Sequence, residues 1–438
     1  MEHSPARPLV AIACGGTGGH LFPGVAVGEA LVVRGVEVTL LVSPKEVDQQ
    51  AVKTLRGLGV ATLPAVGLSG RDYFAFLRGA WRSHRAAEKL FRARPPLAVL
   101  AMGGFTSAPP VLAGRRFGAA TFLHESNTIP GRANRWLARV VDEAFVYFPE
   151  TASRLRHPRA QVVGMPVRPQ FRPRDPGPAR RTRVLDADRP TLLVTGGSQG
   201  ASGLNDLVLR TLPNLSSALP ELQFIHLTGP NDAGRVQAAY DHARLPAAVH
   251  PFLAEMDIAM AAATVALTRA GASSLAETAA MRLPSILVPY PFAADDHQRH
   301  NARAFAESGA ARLLEQHDAT PEQLVRHVVE LIRDQAARVA MQSALAKWHM
   351  PDAAEQIAGR ILHAIGAAQT LAAPAPPAPA RSSADHEKSP DQRGNSNARS
   401  SLCPGGDKVS SPTAGCGGAK VRAQPFSRVR FQAISSPA

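Results

Sequence analysis

The sequence contains few cysteines and no long apolar run. Three of its 438 residues are cysteine, and the positions of Cys14, Cys403 and Cys416 fit neither a disulfide framework nor a zinc site. No segment approaches the roughly 18 consecutive apolar residues of a membrane-spanning helix, and residues 1–8 lack the apolar core of a signal peptide. We therefore expect a protein of the reducing cytoplasm whose contact with any membrane is peripheral.

Aromatic and acidic residues are also scarce. Aromatic residues make up 5% of the chain and all apolar residues 45%, which predicts aliphatic, alanine-rich cores. The 35 Asp and Glu residues are outnumbered by 49 Lys and Arg, so the formal net charge is +14. This surplus attracts nucleic acid, anionic lipid or phosphorylated substrates. Because the sequence has no nucleic-acid-binding motif and no basic platform with interleaved aromatics, we predict no nucleic-acid partner.

The chain does contain a repeated alternation of short apolar runs with longer helical stretches. The runs are continuous, which is typical of strands buried on both faces of a parallel sheet. Two such series predict an α/β protein with two doubly wound, Rossmann-like domains facing each other across a cleft. The predicted strands are Leu9–Ala13, Val36–Val42, Leu97–Met102, Ala120–Leu123 and Ala144–Tyr147 in the first series, and Thr191–Thr195, Gln223–Leu227, Val249–Phe252, Val265–Thr268, Ser285–Val288 and Ala311–Leu314 in the second.

Composition sets the predicted boundaries. A stretch rich in Pro and Arg separates the two series and predicts an interdomain linker, whereas the Ala/Pro-rich and Ser/Gly-rich end cannot bury enough surface to fold and predicts a disordered tail. The cleft is the expected site, because ligands bind at the carboxyl ends of strands in open parallel sheets. The predicted parts are a first domain at 1–165, a linker at 166–190, a second domain at 191–348, a helix at 349–366 and the tail at 367–438.

A glycine-rich loop, residues 15–20, directly follows the first predicted strand and ends in His20. Its four glycines allow a tight turn, and the helix that follows would present its positive end to a phosphate. A histidine at a strand end can act as a general base. The alternative is a plain strand-to-helix turn, and the spacing departs from the G-x-G-x-x-G dinucleotide pattern.

Three segments of the second series also carry polar or glycine-rich signals. Residues 196–201 repeat the glycine loop, and residues 269–277 begin a helix with small side chains whose free amides could bind a diphosphate. Glu277 in that helix could accept hydrogen bonds from two ribose hydroxyls. Gln298 and Asn301 can both donate to and accept from sugar hydroxyls.

Two segments of the first series end strands with more polar or glycine residues than a turn needs. Residues 103–107 form another glycine turn, and residues 124–127 are four adjacent polar residues followed by a polar stretch at 130–135.

Together, these six segments resemble the MurG family of the GT-B superfamily, the UDP-N-acetylglucosamine:lipid I transferases. The resemblance covers about Pro8 to Ile365. It implies an inverting hexosyltransferase that converts lipid I to lipid II in peptidoglycan synthesis, without a cofactor, at the cytoplasmic face of the inner membrane. The implied partners are UDP-N-acetylglucosamine, lipid I and an anionic membrane surface. The chain departs from the family pattern at Ser126, where the family usually has Gln, and at Met165, where it usually has Asn.

The resemblance also implies roles for individual residues, with His20 as the base. A retained Arg168 and the backbone of Leu253 would lie near the uracil, and Glu277 would hold the ribose. The implied donor-binding residues are Thr17, Gly18, Gly19, Asn127, Arg168, Ser198, Leu253, Ala272, Ser273, Ser274, Leu275, Ala276, Glu277 and Gln298. The implied acceptor-side residues are Gly103, Gly104, Glu125 and Asn134.

No metal site is predicted. Residues 295–297 (Asp-Asp-His) are consecutive and cannot converge easily from one helix. The Asp-x-Asp string at 186–188 precedes a strand and has no visible partner.

Two other functions stay open at this point. A UDP-N-acetylglucosamine 2-epimerase of the same fold would make UDP-ManNAc. A non-enzymatic nucleotide- or NAD-binding module would need an acidic residue about 20 positions beyond the first glycine loop, whereas Glu277 lies in the second domain.

A basic, aromatic segment at 67–94 has its Phe74, Leu77, Trp81 and several arginines at helical spacings of three and four. This pattern is typical of an interfacial helix on anionic lipid. An ordinary amphipathic helix with its aromatics in the core is the alternative.

Overall fold

The structure is a computed structural model that describes residues 7–16, 18–45, 48–49, 52–53, 55, 57–64, 73–197 and 200–372. Two residues predicted to bind the donor, Thr17 and Ser198, lie outside the described residues. The predicted tail lies outside them from residue 373 onward.

The first domain is built on a parallel sheet of seven strands in the order β3-β2-β1-β4-β5-β6-β7. Alternate residues of its central strand enter different cores: Val10 and Ile12 pack into one cluster and Ala11 and Ala13 into another. The strand is therefore buried on both faces, as its continuous apolar sequence predicts. The strands are β1 (Leu9–Ala13), β2 (Glu37–Val42), β3 (Gly59–Thr62), β4 (Ala98–Ala101), β5 (Ala120–Glu125), β6 (Glu143–Val146) and β7 (Ala160–Val162).

The second domain contains a parallel sheet of six strands in the order β10-β9-β8-β11-β12-β13. In both sheets the first strand of the domain lies inside the sheet and the chain proceeds outward in both directions. The predicted fold class, two Rossmann-like parallel-sheet domains, is confirmed. The strands are β8 (Thr191–Thr195), β9 (Gln223–Leu227), β10 (Ala247–His250), β11 (Val265–Thr268), β12 (Ser285–Leu287) and β13 (Arg312–Leu313).

Helices connect the strands and cover both sheets. In the first domain and linker they are α1 (Gly18–Val33), α2 (Tyr73–Ala93), α3 (Ala108–Arg116), α4 (Arg132–Leu137), α5 (Pro149–Leu155) and α6 (Pro176–Thr182). In the second domain they are α7 (Ser202–Ala218), α8 (Ala233–Ala243), α9 (Met256–Ala262), α10 (Ala272–Met281), a 3-10 turn (Ala294–Asp296), α11 (His297–Glu307), α12 (Pro321–Arg333) and α13 (Gln335–Trp348). The last helix is α14 (Ala353–Ala372). No helix in the described part of the chain is long and apolar enough to cross a membrane.

The linker is more ordered than its Pro- and Arg-rich composition suggests. Within it, Asp175 caps α6 by accepting a hydrogen bond from the Gly177 amide at 3.0 Å. Phe171 and Leu185 are buried in an apolar cluster with residues of the second domain. The linker therefore packs as part of the second domain.

The chain returns to the first domain at its end. Helix α14 packs against α1, and its Ile357, Ile361 and Ile365 are buried in the core of the first domain. It ends at Ala372, six residues beyond the predicted end at 366. The chain passes between the two domains twice, once near Gly164 and once near Met350. These two segments are in contact, because a Cβ on Gly164 would lie 2.6 Å from the Cβ of Met350.

Candidate active site between the two domains

The first glycine loop is held by a buried carboxylate that sequence reasoning missed. Asp48 Oδ2 accepts hydrogen bonds from the Gly16 amide at 2.6 Å and from the Ser43 hydroxyl at 2.6 Å. From the other side, the Thr106 hydroxyl donates to the Gly15 carbonyl at 2.6 Å. These contacts fix the loop on which α1 begins.

His20 lies in the first turn of α1, against a turn of two glycines. Gly103 and Gly104 have φ values of +108° and +78°, and a Cβ on Gly103 would lie 3.0 Å from His20 Cε1. A side chain at Gly103 would therefore strain the backbone and push the imidazole away. The turn seats the His20 ring, which accounts for the glycines at this strand end.

The surroundings of His20 favour its neutral form. Burial lowers the pKa of the imidazole below its ordinary value, and His297 of the second domain lowers it further. The Met102 backbone and the Asp48 carboxylate oppose this effect. A neutral imidazole at neutral pH is competent to accept a proton.

Glu125 is buried at the end of β5 and organises the neighbouring loop. One carboxylate oxygen accepts from Asn127, at 2.9 Å from its backbone amide and 3.3 Å from its side chain. The other accepts from the Gly131 amide at 3.0 Å and from Asn134 Nδ2 at 2.7 Å. Burial raises the pKa of Glu125, although these four hydrogen bonds lower it. The carboxylate is therefore committed to holding the loop in place.

Asn301 joins the two domains directly. Its side chain is completely buried and makes four hydrogen bonds. Oδ1 accepts from the Thr128 amide at 2.9 Å and the Thr128 hydroxyl at 3.0 Å. Nδ2 donates to Asn127 Oδ1 at 3.0 Å and to the Ala270 carbonyl at 3.2 Å. The sequence suggests that Asn301 binds sugar hydroxyls; in the structure its polar atoms are engaged in holding the domains together.

Helix α10 begins opposite the first glycine loop. Its N-cap is Gly271, which has no side chain to cap the first amides. The Ser273 hydroxyl donates to the Gly19 carbonyl at 3.0 Å, one residue before His20. An uncapped helix start, which attracts anions, is thus placed beside the candidate base. The predicted run Ala272, Ser273, Ser274, Leu275, Ala276 and Glu277 lies along this helix, although Leu275 is fully buried.

Glu277, in the second half of helix α10, forms an ion pair with Arg168. Arg168 Nη2 lies 3.7 Å from Glu277 Oε1, and the guanidinium stacks 4.2 Å from the Phe22 ring centroid. Burial raises the pKa of Glu277 to about 7, although Arg168 lowers it. The structure brings together an acidic and a basic residue that are 109 positions apart in the sequence.

The remaining predicted donor residues are placed as follows. Gln298 Oε1 accepts from the Tyr290 amide at 3.0 Å and the Ala270 amide at 3.3 Å, which orients the side chain at the cleft. The Leu253 side chain is buried in an apolar cluster, so a ligand would meet its backbone. In the second glycine loop, Gly200 has a φ of +73° and approaches the Thr228 carbonyl too closely for a Cβ.

A cavity of about 1210 Å³ opens beside these residues. One end is polar and contains His20, Glu125, Asn127 and Asn134, with His297 from the second domain. The other end is formed by apolar side chains of α2, α3 and α4. The cavity therefore extends from the candidate base to the outer surface of the first domain.

The aspartates at 295 and 186, which were considered as metal ligands, make other contacts. Asp295 lies 3.3 Å from Arg135 and 3.7 Å from Arg132, and Asp186 accepts a hydrogen bond from the Asp188 amide at 2.9 Å. Among the described residues, no three His, Cys, Asp or Glu side chains are grouped as metal ligands would be.

The structure thus brings most of the predicted site residues together. His20 contacts Gly103 and Gly104, Glu125 contacts Asn127 and Asn134, and the start of α10 meets Gly19. Their individual roles stay predictions.

Two family domains match the chain. The Glycosyltransferase family 28 N-terminal domain matches residues 10–146, and the Glycosyltransferase family 28 C-terminal domain matches residues 191–357. These matches fall on the two parallel sheets.

Curated relatives and solved structures agree with these matches. A UDP-N-acetylglucosamine–N-acetylmuramyl-(pentapeptide) pyrophosphoryl-undecaprenol N-acetylglucosamine transferase of Acidithiobacillus ferrooxidans is 38% identical over 361 residues, 82% of this chain and 98% of the relative. A protein of the same name from Xanthomonas campestris is 38% identical over 364 residues, 82% of each chain. The crystal structure of Acinetobacter baumannii MurG is 26% identical, with a TM-score of 0.64 over 82% of this chain and all of that one.

More distant structures share the fold. A putative UDP-N-acetylglucosamine 2-epimerase from Listeria monocytogenes has a TM-score of 0.59 at 13% identity, over 84% of this chain and 98% of that one. At this identity the likeness concerns the fold alone.

Proposed function

Because the chain belongs to the family of UDP-N-acetylglucosamine–N-acetylmuramyl-(pentapeptide) pyrophosphoryl-undecaprenol N-acetylglucosamine transferases, within glycosyltransferase family 28, we propose how its site performs this transfer. The donor is UDP-N-acetylglucosamine, the acceptor is the muramyl 4-hydroxyl of lipid I, and the product is lipid II of peptidoglycan synthesis. The supporting observation is the meeting of the two domains at the site. The start of α10 touches the residue before His20, through the 3.0 Å hydrogen bond from Ser273 to Gly19.

The reaction needs a base, a stabilised leaving group and an in-line arrangement of two sugars. His20 accepts the proton of the 4-hydroxyl as its oxygen attacks the anomeric carbon of the donor. The new carbon–oxygen bond forms opposite the bond to the diphosphate, which breaks with both electrons going to UDP. The α linkage of the donor thereby becomes a β linkage in the product.

The second domain holds the donor. The amides at the start of α10 and the second glycine loop stabilise the diphosphate, and Glu277 accepts hydrogen bonds from the ribose hydroxyls. Arg168 orients Glu277 across 3.7 Å, and the backbone of Leu253 meets the uracil. Gln298 presents its amide nitrogen to the transferred sugar, because its oxygen is engaged by two backbone amides.

The first domain holds the acceptor and docks on the membrane. On helix α2, Phe74, Leu77 and Trp81 are 89%, 62% and 60% exposed, so these three side chains are not part of a core. Exposed Arg78, Arg82 and Arg85 accompany them. An exposed apolar stripe bordered by arginines suits the headgroup region of an anionic membrane. We place the protein on the cytoplasmic face of the inner membrane, where it meets lipid I.

Incubation with radiolabelled UDP-N-acetylglucosamine and a lipid-linked muramyl-pentapeptide tests the proposal. Label should move into the lipid phase only when the acceptor is present, and the product linkage should be β. Formation of UDP-ManNAc without acceptor, with no label in lipid, would instead identify a 2-epimerase.

A further inference from the structure

The cavity beside His20 is larger than the acceptor sugar requires. Its volume of about 1210 Å³ exceeds the roughly 300–1,000 Å³ typical of small-ligand sites. The mechanism above uses only its polar end. The opposite end, formed by α2, α3 and α4, has no role in that mechanism.

This opposite end is apolar and begins directly beside the base. Gly104 contacts His20, and the adjacent Phe105 ring stacks edge-on against Phe76 of α2, with 6.4 Å between the ring centroids. Helices α2 and α3 are joined by the His84–Pro109 contact, at 3.1 Å. Their apolar side chains therefore form one continuous lining. Its main members are Phe76, Leu77, Trp81, Phe105, Leu112 and Trp136.

A second wall of the cavity, formed by Gly131, Arg132 and Trp136, also changes from polar to apolar along its length. The Gly131 amide binds Glu125 at 3.0 Å. Arg132 comes next, with a side chain that is 82% exposed, and Trp136 follows one helical turn later on the same face of α4. Along this wall the lining changes from carboxylate and amide to guanidinium to indole.

A lipid-linked sugar diphosphate has the same order of groups: sugar, then two phosphates, then hydrocarbon. The cavity also opens onto the exposed stripe proposed to face the bilayer, because Leu77 and Trp81 belong to both. The exposed stripe and the apolar part of the cavity lining are therefore continuous through Leu77 and Trp81.

From this correspondence we propose that the apolar end of the cavity is a binding subsite for the isoprenoid units nearest the diphosphate of the acceptor, with Arg132 beside the phosphates. This inference rests on the proposed function and adds to it. Part of the lipid leaves the bilayer during the reaction, and the enzyme recognises that part as substrate.

The test uses soluble acceptors, without membrane or detergent. Muramyl-pentapeptide diphosphates carrying one or three isoprene units are compared by their kcat/KM values at saturating UDP-N-acetylglucosamine. Burial of the added hydrocarbon should raise kcat/KM of the longer acceptor at least ~10-fold over the shorter.

Two variants and a matched control locate the effect. Leu112→Gln and Trp136→Gln place polar atoms in the apolar lining, and each should bring the ratio of the two kcat/KM values towards one. Phe74→Gln changes an exposed residue of the same surface that does not line the cavity, so it should keep the wild-type ratio. Thermal melting and UDP binding by each variant confirm that it is folded.

The possible failures are distinguishable. A wild-type ratio near one would overturn the subsite, and is expected if an acyl chain of the membrane or the acceptor peptide fills this end. An equal fall in the ratio for Phe74→Gln and the lining variants would also overturn it. Absence of transfer to every acceptor would overturn the proposed function itself, and the subsite with it.

Discussion

At the scale of single residues, His20 is the group on which the proposed chemistry depends. Replacing His20 with Ala should lower kcat about 10²–10⁴-fold, the usual effect of losing a general base, and leave the Kd for UDP nearly unchanged. Steady-state kinetics and calorimetry measure these two quantities. The exposed His363 provides a matched control, since His363→Ala should change neither.

The pH dependence of the same reaction follows from the lowered pKa of His20. A base works in its unprotonated form, so wild-type kcat/KM should be level at neutral pH and fall only when acid protonates the ring, below the ordinary histidine pKa of about 6.5. Near-normal turnover by His20→Ala at every pH would remove His20 from the role of base.

Glu277 should make donor binding depend on pH around neutrality. Its pKa is raised to about 7, and the proposed ribose contact needs the carboxylate form. The affinity for UDP-N-acetylglucosamine, whose diphosphate is esterified at both ends and does not titrate near neutrality, should therefore strengthen as pH rises through 7 and weaken as pH falls below it. Calorimetry between pH 5.5 and about 8.5 would measure this change.

The variant Glu277→Gln removes the titration and keeps the shape of the side chain. It should bind UDP-N-acetylglucosamine more weakly than wild type at pH 8, with an affinity that no longer varies around pH 7. If wild type and variant showed the same pH profile, the ribose contact would lie elsewhere.

At the scale of elements, helix α2 carries the membrane prediction. Each basic residue near an anionic surface contributes about 1 kcal/mol. Changing Arg78, Arg82 and Arg85 together to Gln should therefore weaken binding to anionic vesicles by roughly two orders of magnitude. High salt should weaken wild-type binding in the same way. Vesicle co-sedimentation at low salt measures the effect.

A triple variant of the second domain controls for net charge. Arg210, Arg244 and Arg326 are exposed, and their change to Gln removes the same total charge. This control should bind vesicles nearly as well as wild type. An equal loss of vesicle binding in the two triple variants would show that the overall charge causes the effect, and would contradict α2 as the membrane-binding helix.

The elements that could be predicted from sequence are those with strong burial. Central strands such as β1 and β8 are buried throughout and have a continuous apolar run, five residues in β1 and Leu192–Val194 in β8, so their sequences alone predict them. The edge strands β3 and β7 could not be predicted, because both are short and lack a long apolar run, β3 is mostly exposed and β7 is mostly half-buried. Strand β10, also partly exposed, begins two residues before its predicted start at Val249.

The residues of the candidate site also differ in whether the sequence alone could identify them. Glycine loops and polar strand ends such as His20 and Glu125 could be identified because their local patterns are unusual. Asp48 could not, since its contact with Gly16 spans 32 residues and depends on the tertiary fold. The role of Asn301 in joining the domains could not be predicted either, because three of its four hydrogen bonds are to Thr128 and Asn127 of the other domain.

At the scale of the whole molecule, Asn301 links the two domains through buried hydrogen bonds. Asn301→Ala would leave the Thr128 amide and hydroxyl and the Asn127 side chain without this partner. Leaving buried polar groups unpaired costs about 1–3 kcal/mol, so the free energy of unfolding should fall by that amount in urea titrations. Exposed Glu307 lies on the same helix, and Glu307→Ala should have little effect. Equal stability of the two variants would contradict the role of Asn301 in linking the domains.

The return of α14 to the first domain has a consequence for the order of events during translation. Ile357, Ile361 and Ile365 complete the core that contains β1 and α1, yet the ribosome makes them after the whole second domain. At synthesis rates of about 5–20 residues per second, the nascent first domain waits tens of seconds for its last helix. Until then the apolar surface that α14 will cover on α1 is open. The core of the second domain, which runs from Leu192 to Leu345 and includes Tyr147, Phe148 and Met165 from earlier in the chain, is already complete and can fold first.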